Sequence, residues 1–410
     1  MIPRHSLAFG AGEILSSLAS PTPTMHSTDL EKAYADTLGV AAVILLPSVR
    51  AGIHMAIQAT GEPNMIVVGP AYTCRAVYDA LALSGACTQL VDLSPNSFLM
   101  PADCISAAIQ PGCALVLSEV YGIPYNQEML QNMCTKGPRI RILDMAMNIP
   151  ASERMRQLEA RDVALFSFGW GKPMYAGWGG TACFKDLEFA GKVREIRDRW
   201  STPESIGLRF RRLCSILLRV GMNQRHFYGL THQPHLYRLY NIVTSSRTVQ
   251  GRTLVARESP LPFAPGQEAE ALPPEWTRPT STLNRRLALQ NLRHAAQHAD
   301  LRRRQAEIYS RCLVESGIVR GPGSKALPQS HFPIRFSSAV RNTMCDYLRG
   351  RGVDTSILFP FPVELSRDRY PYAAEAADEV VTLPLGPSIT LDEVQMVSRY
   401  VKDGLRALGC

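Results

Sequence analysis

The sequence has no uninterrupted apolar run of about 18 residues, the length that a membrane-spanning helix requires. Its N-terminal stretch "MIPRHSLAFGAGEILSSLAS" contains one arginine and a short apolar segment broken by polar residues, which makes a poor signal peptide. The ten cysteines include no CxxC pair and no zinc-finger spacing. We therefore expect a cytoplasmic protein whose cysteines are free thiols in the core, rather than a secreted protein held together by disulfides.

A strong bias of charge is also absent. Lys and Arg total 44 against 36 Asp and Glu, and the resulting net charge of +8 is not concentrated in a tail. This balance permits an anionic substrate and does not predict nucleic-acid binding, and no RNA motif of aromatic and basic residues is present. His294 and His298 lie one helical turn apart, a spacing that metal ligands also use, but we interpret them as a surface pair and predict no metal site.

Short apolar runs alternate with helical patterns through the first half of the chain. Each run is bounded by turn residues and is followed by an amphipathic stretch, except where two strands follow each other at the end of the series. The runs lie at 41–47, 65–69, 87–92, 114–118, 140–144, 163–168 and 180–184. Strands that alternate with helices predict an α/β fold, with a large domain built on a mainly parallel seven-stranded sheet.

The pattern changes near residue 190. A proline-rich stretch at 259–281 is typical of a connector, and a long helix is predicted from about Leu283 to Leu313. The remaining chain reads strand–helix–strand–helix, and Thr390 and Glu393 form a capping box at the start of the last helix. We predict an N-terminal arm at 1–25, a large domain at 26–250 and a smaller C-terminal α+β domain at 251–410.

The segment 192–252 is unusually basic, with twelve Lys and Arg against three Asp and Glu. We favour its interpretation as an amphipathic helical insertion that packs on the protein's own dimer. The alternative is a docking surface for an anionic or lipid-linked substrate, or for a membrane face.

Three features could carry chemistry. The stretch "LLPSVRAGIHMAI" places a helix start directly after a strand, where backbone amides bind phosphate. Asp144 follows a buried strand, at the edge of an α/β sheet where ligands bind. Lys172 lies among glycines and aromatics, five residues after Ser167, and the following Pro173 excludes a Walker loop.

Taken singly, these features could be an ordinary turn, a turn cap and a surface lysine. Together, and in this order, they are what pyridoxal phosphate requires, because the cofactor needs a phosphate site, an acid for its ring nitrogen and an amine for its aldehyde carbon.

The sequence resembles the DegT/StrS-type sugar aminotransferase family of fold-type I pyridoxal phosphate enzymes nearly from end to end. The resemblance is carried by "SVRAGIHMAI", "LSEVYGIPYN", "LDMAMN", "SFGWGKPMYAGWGG", "LNRRLALQNLRHAAQ" and "VVTLPLGPSITLDEVQMVSRYV". It implies that Lys172 forms the Schiff base with the cofactor and moves the substrate proton. It also implies that Asp144 pairs with the ring nitrogen, and that Ser167 holds the phosphate with the amides of Arg50 and Ala51.

The resemblance further implies a homodimer with a shared active site, in which Asn284 reaches the phosphate from the neighbouring subunit. The chain departs from the family pattern at positions that are expected to contact the cofactor ring. Met147 stands where the family has glutamine, so the contact to the ring hydroxyl is missing or comes from Asn148. Cys74 stands where the family has a stacking aromatic, so stacking passes to Cys74 or to Tyr72.

The implied activity is transfer of an amino group from an amino acid, which we take to be glutamate, to a keto group of a nucleotide-linked sugar, with pyridoxamine phosphate formed in the half-reaction. Lys172 argues against the family's sugar dehydratases, which carry histidine there. A non-sugar keto intermediate of secondary metabolism is an alternative, because "SILFPFP" at 356–362 is more apolar than in the family. A non-catalytic regulatory homologue is a further alternative, but it predicts loss of Lys172 or Asp144.

Overall fold

The computed structural model describes residues 1–19, 26–134, 137–203, 205–231, 276–324 and 326–409. Seven strands form one sheet in the order β1-β7-β6-β5-β4-β2-β3. They are β1 (Ala42–Leu46), β2 (Ile66–Pro70), β3 (Cys87–Val91), β4 (Ala114–Ser118), β5 (Ile140–Asp144), β6 (Asp162–Ser167) and β7 (Gly180–Phe184). All seven predicted strands are present, and the mainly parallel sheet is confirmed, since only β7 pairs antiparallel, with β1 and β6.

Helices follow most of these strands. The described ones before the C-terminal region are α1 (Ala11–Ala19), α2 (Ser27–Leu38), α3 (Val49–Ala59), α4 (Arg75–Leu83), α5 (Ala102–Ala108), α6 (Gln127–Cys134), α7 (Ser152–Arg156), α8 (Leu187–Trp200), α9 (Ile206–Met222) and α10 (Arg225–Thr231). A 3₁₀ turn covers Val120–Gly122.

The sheet is buried on both faces, which explains why its strands are continuous apolar runs rather than alternating ones. On one face, Ile53 and Ile57 of α3 pack in the same cluster as alternate residues of the strands. On the other face, Leu30 and Tyr34 of α2 do the same. With helices on both faces, the carboxyl ends of the parallel strands are left open at one edge, and the loops that follow them can form a site there.

The C-terminal region contains a two-stranded antiparallel sheet of β8 (His331–Arg335) and β9 (Val380–Pro384). Its helices are α11 (Thr282–Arg293), α12 (Ala295–Tyr309), α13 (Ser338–Gly350), α14 (Pro371–Glu379) and α15 (Leu391–Ala407). The predicted strand–helix–strand–helix order is confirmed, with α14 added directly before β9. The predicted capping box is also confirmed, because Thr390 and Glu393 each accept a hydrogen bond from the other's backbone amide.

The prediction of one long helix from Leu283 to Leu313 is wrong. The helix breaks at His294, whose φ and ψ of −100° and 5° are not helical, and its final turn, Ser310–Val314, is a π-helix. The two halves contact different parts of the protein. Asn291 of α11 donates a hydrogen bond to the Tyr175 carbonyl at 2.6 Å, whereas α12 packs against α15.

The eight cysteines that the structure describes are free, as predicted, but their expected location in the core is wrong for several of them. Only Cys113 and Cys183 are buried, and Cys104 and Cys214 are exposed. Within the described residues, no helix is both long and apolar enough to cross a membrane.

The N-terminal arm reaches the C-terminal region. Ile2 forms a bridge with Val353, and Ser6 shares a hydrogen bond with Ser388 at 2.7 Å. The predicted domain boundary at 250, most of the connector and the end of the basic segment lie in 232–275, outside the described residues. The three predicted domains and both interpretations of the basic segment therefore stay predictions.

Candidate active site

A cavity of about 300 Å³ lies at the edge of the sheet where the parallel strands end. Its walls come from the segments that follow β1, β4, β5 and β6, from the starts of α3 and α4, and from α9 and the C-terminal region. Six of the ten residues that the sequence predicts for the site line this one cavity: Arg50, Cys74, Asp144, Met147, Ser167 and Lys172. Their positions along the chain are far apart, so the fold itself brings them together.

The first turn of α3 forms one end of the cavity. Ser48 is its N-cap, and the Ser48 hydroxyl accepts a hydrogen bond from the Ala51 amide at 3.2 Å. The turn and the adjacent Arg50 line the cavity, whereas the Ala51 side chain is fully buried. Unsatisfied amides and the positive end of the helix dipole make this turn an anion site.

Asp144, the last residue of β5, forms the floor of the cavity. Its carboxylate accepts hydrogen bonds from the Ala146 amide at 3.1 Å and the Ser118 hydroxyl at 3.3 Å. Burial raises the pKa of Asp144, and the charge of Lys172 together with these two hydrogen bonds opposes that rise. The carboxylate is therefore held in one orientation, and a cationic partner in the cavity would favour its ionised form.

Lys172 extends from a tight loop between β6 and β7. The Lys172 amide donates to the Gly169 carbonyl at 3.3 Å, and the Tyr175 amide donates to the Lys172 carbonyl at 3.1 Å. Ser167, at the start of the loop, accepts a hydrogen bond from the Gly169 amide at 3.1 Å. Lys172 is half-buried and lines the cavity, where its charge acts on Asp144.

The loop depends on glycines that other residues could not replace. Gly177 has a φ of +101°, and a Cβ built there would lie 2.7 Å from Cδ1 of Ile216 and would clash with the Asn284 amide. We expect Gly177→Ala to lower the free energy of unfolding by at least about 1–3 kcal/mol, because of backbone strain alone. Gly191→Ala is the matched control, since nothing lies within 4 Å of that site in α8 and alanine there should stabilise by about 0.5–1 kcal/mol. Urea unfolding of both variants measures the difference, and a tolerated Gly177→Ala would contradict this account of the loop.

Two residues predicted to contact the cofactor ring lie behind the wall of the cavity. Tyr72 is buried, its hydroxyl hydrogen-bonded to that of Tyr121 at 2.5 Å, and its ring packs edge-on against Phe359 at 5.6 Å. Asn148 is also buried and donates to the Gly122 carbonyl at 3.2 Å. Neither side chain lines the cavity. Direct contact of either with a cofactor ring stays a prediction.

Cys74 and Met147, by contrast, do line the cavity. Cys74 is the half-buried N-cap residue of α4. The Met147 sulfur accepts a hydrogen bond from the Tyr121 amide at 3.3 Å. The positions where the sequence departs from the family pattern are therefore part of the cavity wall.

The Asn284 side chain is hydrogen-bonded within its own chain. Its side-chain amide donates to the Ala176 carbonyl at 2.5 Å, and its side-chain oxygen accepts from the Ser281 amide at 3.2 Å. The residue is fully buried, so here it joins α11 to the loop that carries Lys172. Its predicted reach to the phosphate of a neighbouring subunit stays a prediction.

The cavity also contains residues that the sequence did not single out. The Thr73 hydroxyl donates to Ser118 at 3.0 Å, which extends the hydrogen-bond chain to Asp144. Glu119 lines the cavity and forms an ion pair with the half-buried Arg154. Other lining residues of this kind include Trp170, Trp178, Arg212 and Phe359. Two of these residues lie in segments with an unusual composition that could have indicated them: Phe359 in an apolar segment and Arg212 in the basic segment.

The residues fit pyridoxal phosphate. The cavity joins an anion site at α3, a buried carboxylate and one lysine amine, and its walls are mostly apolar. These are the three polar contacts that the cofactor's phosphate, ring nitrogen and aldehyde require. The structure therefore brings together the groups that the sequence predicts for this cofactor.

A model of the DegT/DnrJ/EryC1/StrS aminotransferase family matches residues 13–225 and 281–402. The GDP-perosamine synthase of Caulobacter vibrioides is 27% identical over 205 residues, which cover 48% of this chain and 55% of that protein. The match thus spans about half the length of this curated relative.

Solved structures share the fold. PseC of Helicobacter pylori, an aminotransferase of pseudoaminic acid biosynthesis, aligns over 99% of both chains at 14% identity and a TM-score of 0.69. NtdA of Bacillus subtilis, solved with bound PMP, aligns over 96% of this chain and 82% of its own at 18% identity and a TM-score of 0.68. The predicted fold class is thereby confirmed.

Proposed function

The chain belongs to the DegT/DnrJ/EryC1/StrS aminotransferase family, and from that premise we propose that it is a pyridoxal phosphate-dependent aminotransferase that aminates a keto group of a nucleotide-linked sugar. The observation that carries the proposal is that Lys172, Asp144 and the first turn of α3 line a single cavity. The same observation disfavours a non-catalytic homologue, because such a protein would have no need to keep both the amine and the carboxylate.

Each group has a defined task in this reaction. When bound, pyridoxal phosphate supplies an electron-withdrawing ring that stabilises negative charge on the substrate carbon. The Asp144 carboxylate would hold a proton on the ring nitrogen, and the turn at Ser48 with the Ser167 hydroxyl would bind the phosphate. The Lys172 amine would hold the cofactor at rest and, when free, would take the substrate proton at one carbon and return it at another.

The rest of the wall keeps water from the reacting atoms. Phe359 is 5% exposed and is fixed by ring contacts with Tyr72 and Tyr121, at 5.6 and 5.0 Å. Val77 and Ile53 are buried beside the starts of the two helices that border the cavity. Exclusion of water strengthens the interaction of Asp144 with a cationic ring nitrogen.

The sugar class rests on the relatives, which include a GDP-perosamine synthase and an aminotransferase of pseudoaminic acid biosynthesis. A keto intermediate without a sugar is the second candidate, because Phe359 presents an apolar ring where a hydroxyl-rich substrate would need polar partners. Glutamate as amino donor and a homodimer with a shared site belong to the same proposal, and light scattering on the purified protein measures the dimer.

Cofactor uptake tests the proposal. Purified protein incubated with pyridoxal phosphate should become yellow, and addition of glutamate should remove the colour as the amine moves to the cofactor. Keto compounds with and without a nucleoside diphosphate, added to the aminated form, should restore the colour only where they accept the amine. A protein that takes up no cofactor would refute the proposal. Colour restored by keto compounds without a sugar, other than the donor's own keto acid 2-oxoglutarate, and not by nucleotide-linked keto sugars would select the second candidate.

A further inference from the structure

The helix α9, within the basic segment, packs over the loop that carries Lys172. Ser205 caps the helix, with its hydroxyl accepting from the Leu208 amide at 3.3 Å. Ile216 and Val220 are the buried side chains of α9, and Cδ1 of Ile216 would lie 2.7 Å from a Cβ at Gly177. The helix is therefore part of the site's own architecture in a single chain.

Two arginines of α9 rest on the two tryptophans of this loop. The guanidinium of Arg212 lies 4.1 Å from the centre of the Trp178 ring, and that of Arg219 lies 5.5 Å from the centre of the Trp170 ring. Such contacts fix the plane of a guanidinium and do not neutralise its positive charge. Arg212 is half-buried and lines the cavity, whereas its neighbour Arg211 is exposed.

The Trp178 ring beneath Arg212 belongs to a stretch that runs beside the end of β1. Trp178 precedes Gly179, where a Cβ would lie 3.1 Å from the Leu46 carbonyl. Leu46 is the last residue of β1 and leads through one proline to Ser48, the N-cap of α3. Trp178, Gly179, Ser48 and Arg212 all line the same cavity. The guanidinium and the anion-binding turn therefore border one space.

We propose that Arg212 binds the phosphate of pyridoxal phosphate, so that α9 supplies the cofactor with a cation from its own chain. This inference rests on the proposed function. The amides of the helix turn and the Ser167 hydroxyl are neutral donors to a phosphate dianion, although Arg50 of the same turn also lines the cavity. The Asn284 amide, the predicted contact from a neighbouring subunit, is bonded to Ala176 here. Arg212 adds the charged, two-pronged donor that this group prefers.

Binding measurements with two forms of the cofactor test the proposal. Apo protein is titrated with pyridoxal phosphate and with pyridoxal, which lacks the phosphate, and absorbance of the bound form gives the dissociation constants. Arg212→Met should weaken pyridoxal phosphate by about 10- to 100-fold, the effect of a lost charge-assisted hydrogen bond, and leave pyridoxal unchanged. The affinity of Arg212→Lys for pyridoxal phosphate should fall between those of wild type and Arg212→Met, because lysine keeps the charge and loses the planar fork.

Arg211→Met is the matched control, since it removes the adjacent exposed charge and should change neither constant. Thermal denaturation by circular dichroism shows whether each variant remains folded. An equal loss for both ligands in Arg212→Met would mean a structural role and would overturn the proposal. Unchanged affinity for pyridoxal phosphate, with weaker binding of guanosine diphosphate, would also overturn it by assigning Arg212 to the substrate. A wild-type protein that binds neither form would instead refute the proposed function itself.

Discussion

Lys172→Ala should reduce transamination by at least about 100- to 10,000-fold, the share that a positioned general acid–base group contributes. The variant loses the amine that lines the cavity beside Asp144, and no other lysine is among the described lining residues. Its cofactor affinity should fall less, because the α3 turn, Ser167 and Asp144 remain. Single-turnover decay of the cofactor's visible absorbance after addition of glutamate measures the effect.

Lys185→Ala is a suitable control. Lys185 follows Phe184, the last residue of β7, and because β7 runs antiparallel to its neighbours, Lys185 lies at the opposite edge of the sheet from the cavity. The control should react at the wild-type rate. A Lys172→Ala enzyme that turns over at a rate close to that of wild type would show that another group moves the proton.

Asp144→Asn should weaken cofactor binding by about 10- to 100-fold, the usual worth of a hydrogen bond to a charged partner. Asparagine keeps the shape of the side chain and can still accept from the Ala146 amide and pair with Ser118. What it loses is the negative charge that would hold a proton on the ring nitrogen. Ser118→Ala is the matched control, since it removes one neutral partner and leaves the carboxylate, and its effect should be smaller.

The same substitution should make the cofactor-free protein more stable. Burial raises the pKa of Asp144 in the folded state, and a carboxyl with a raised folded pKa costs stability once the pH exceeds its unfolded pKa. Asparagine cannot ionise, so the free energy of unfolding of Asp144→Asn should exceed that of wild type near neutral pH. This difference in stability should shrink as the pH falls below the unfolded pKa, because the Asp144 carboxyl is then neutral in both the folded and the unfolded protein. A variant that is less stable at neutral pH and binds the cofactor normally would contradict this role.

The seven strands were predictable because each is a short apolar run buried on both faces of the sheet. The same logic located Asp144 and Lys172, since residues that follow such runs collect at the carboxyl edge of the sheet. Arg50 was predictable for the same reason, because it lies at the start of the helix that follows β1.

The features that the sequence did not predict depend on side-chain packing, which the spacing of residues along the chain does not encode. Tyr72 is close in sequence to Cys74, but only Cys74 lines the cavity, because the Tyr72 hydroxyl is directed to Tyr121 behind the wall. His294 breaks a helical pattern that looked continuous, and Asn291 of α11 bonds to the lysine loop. Arg212 comes from a basic segment that we interpreted as an insertion packed on the protein's own dimer or, alternatively, as a docking surface. The structure places Arg212 at the cavity, in contact with Trp178.

Borohydride reduction of the protein loaded with pyridoxal phosphate, followed by peptide mapping, tests the central claim most directly. We predict one reduced cofactor adduct, on the peptide that contains Lys172, and none in Lys172→Ala. An adduct on another lysine, or no adduct in a protein that has bound the cofactor, would contradict the assignment of this cavity as the catalytic site.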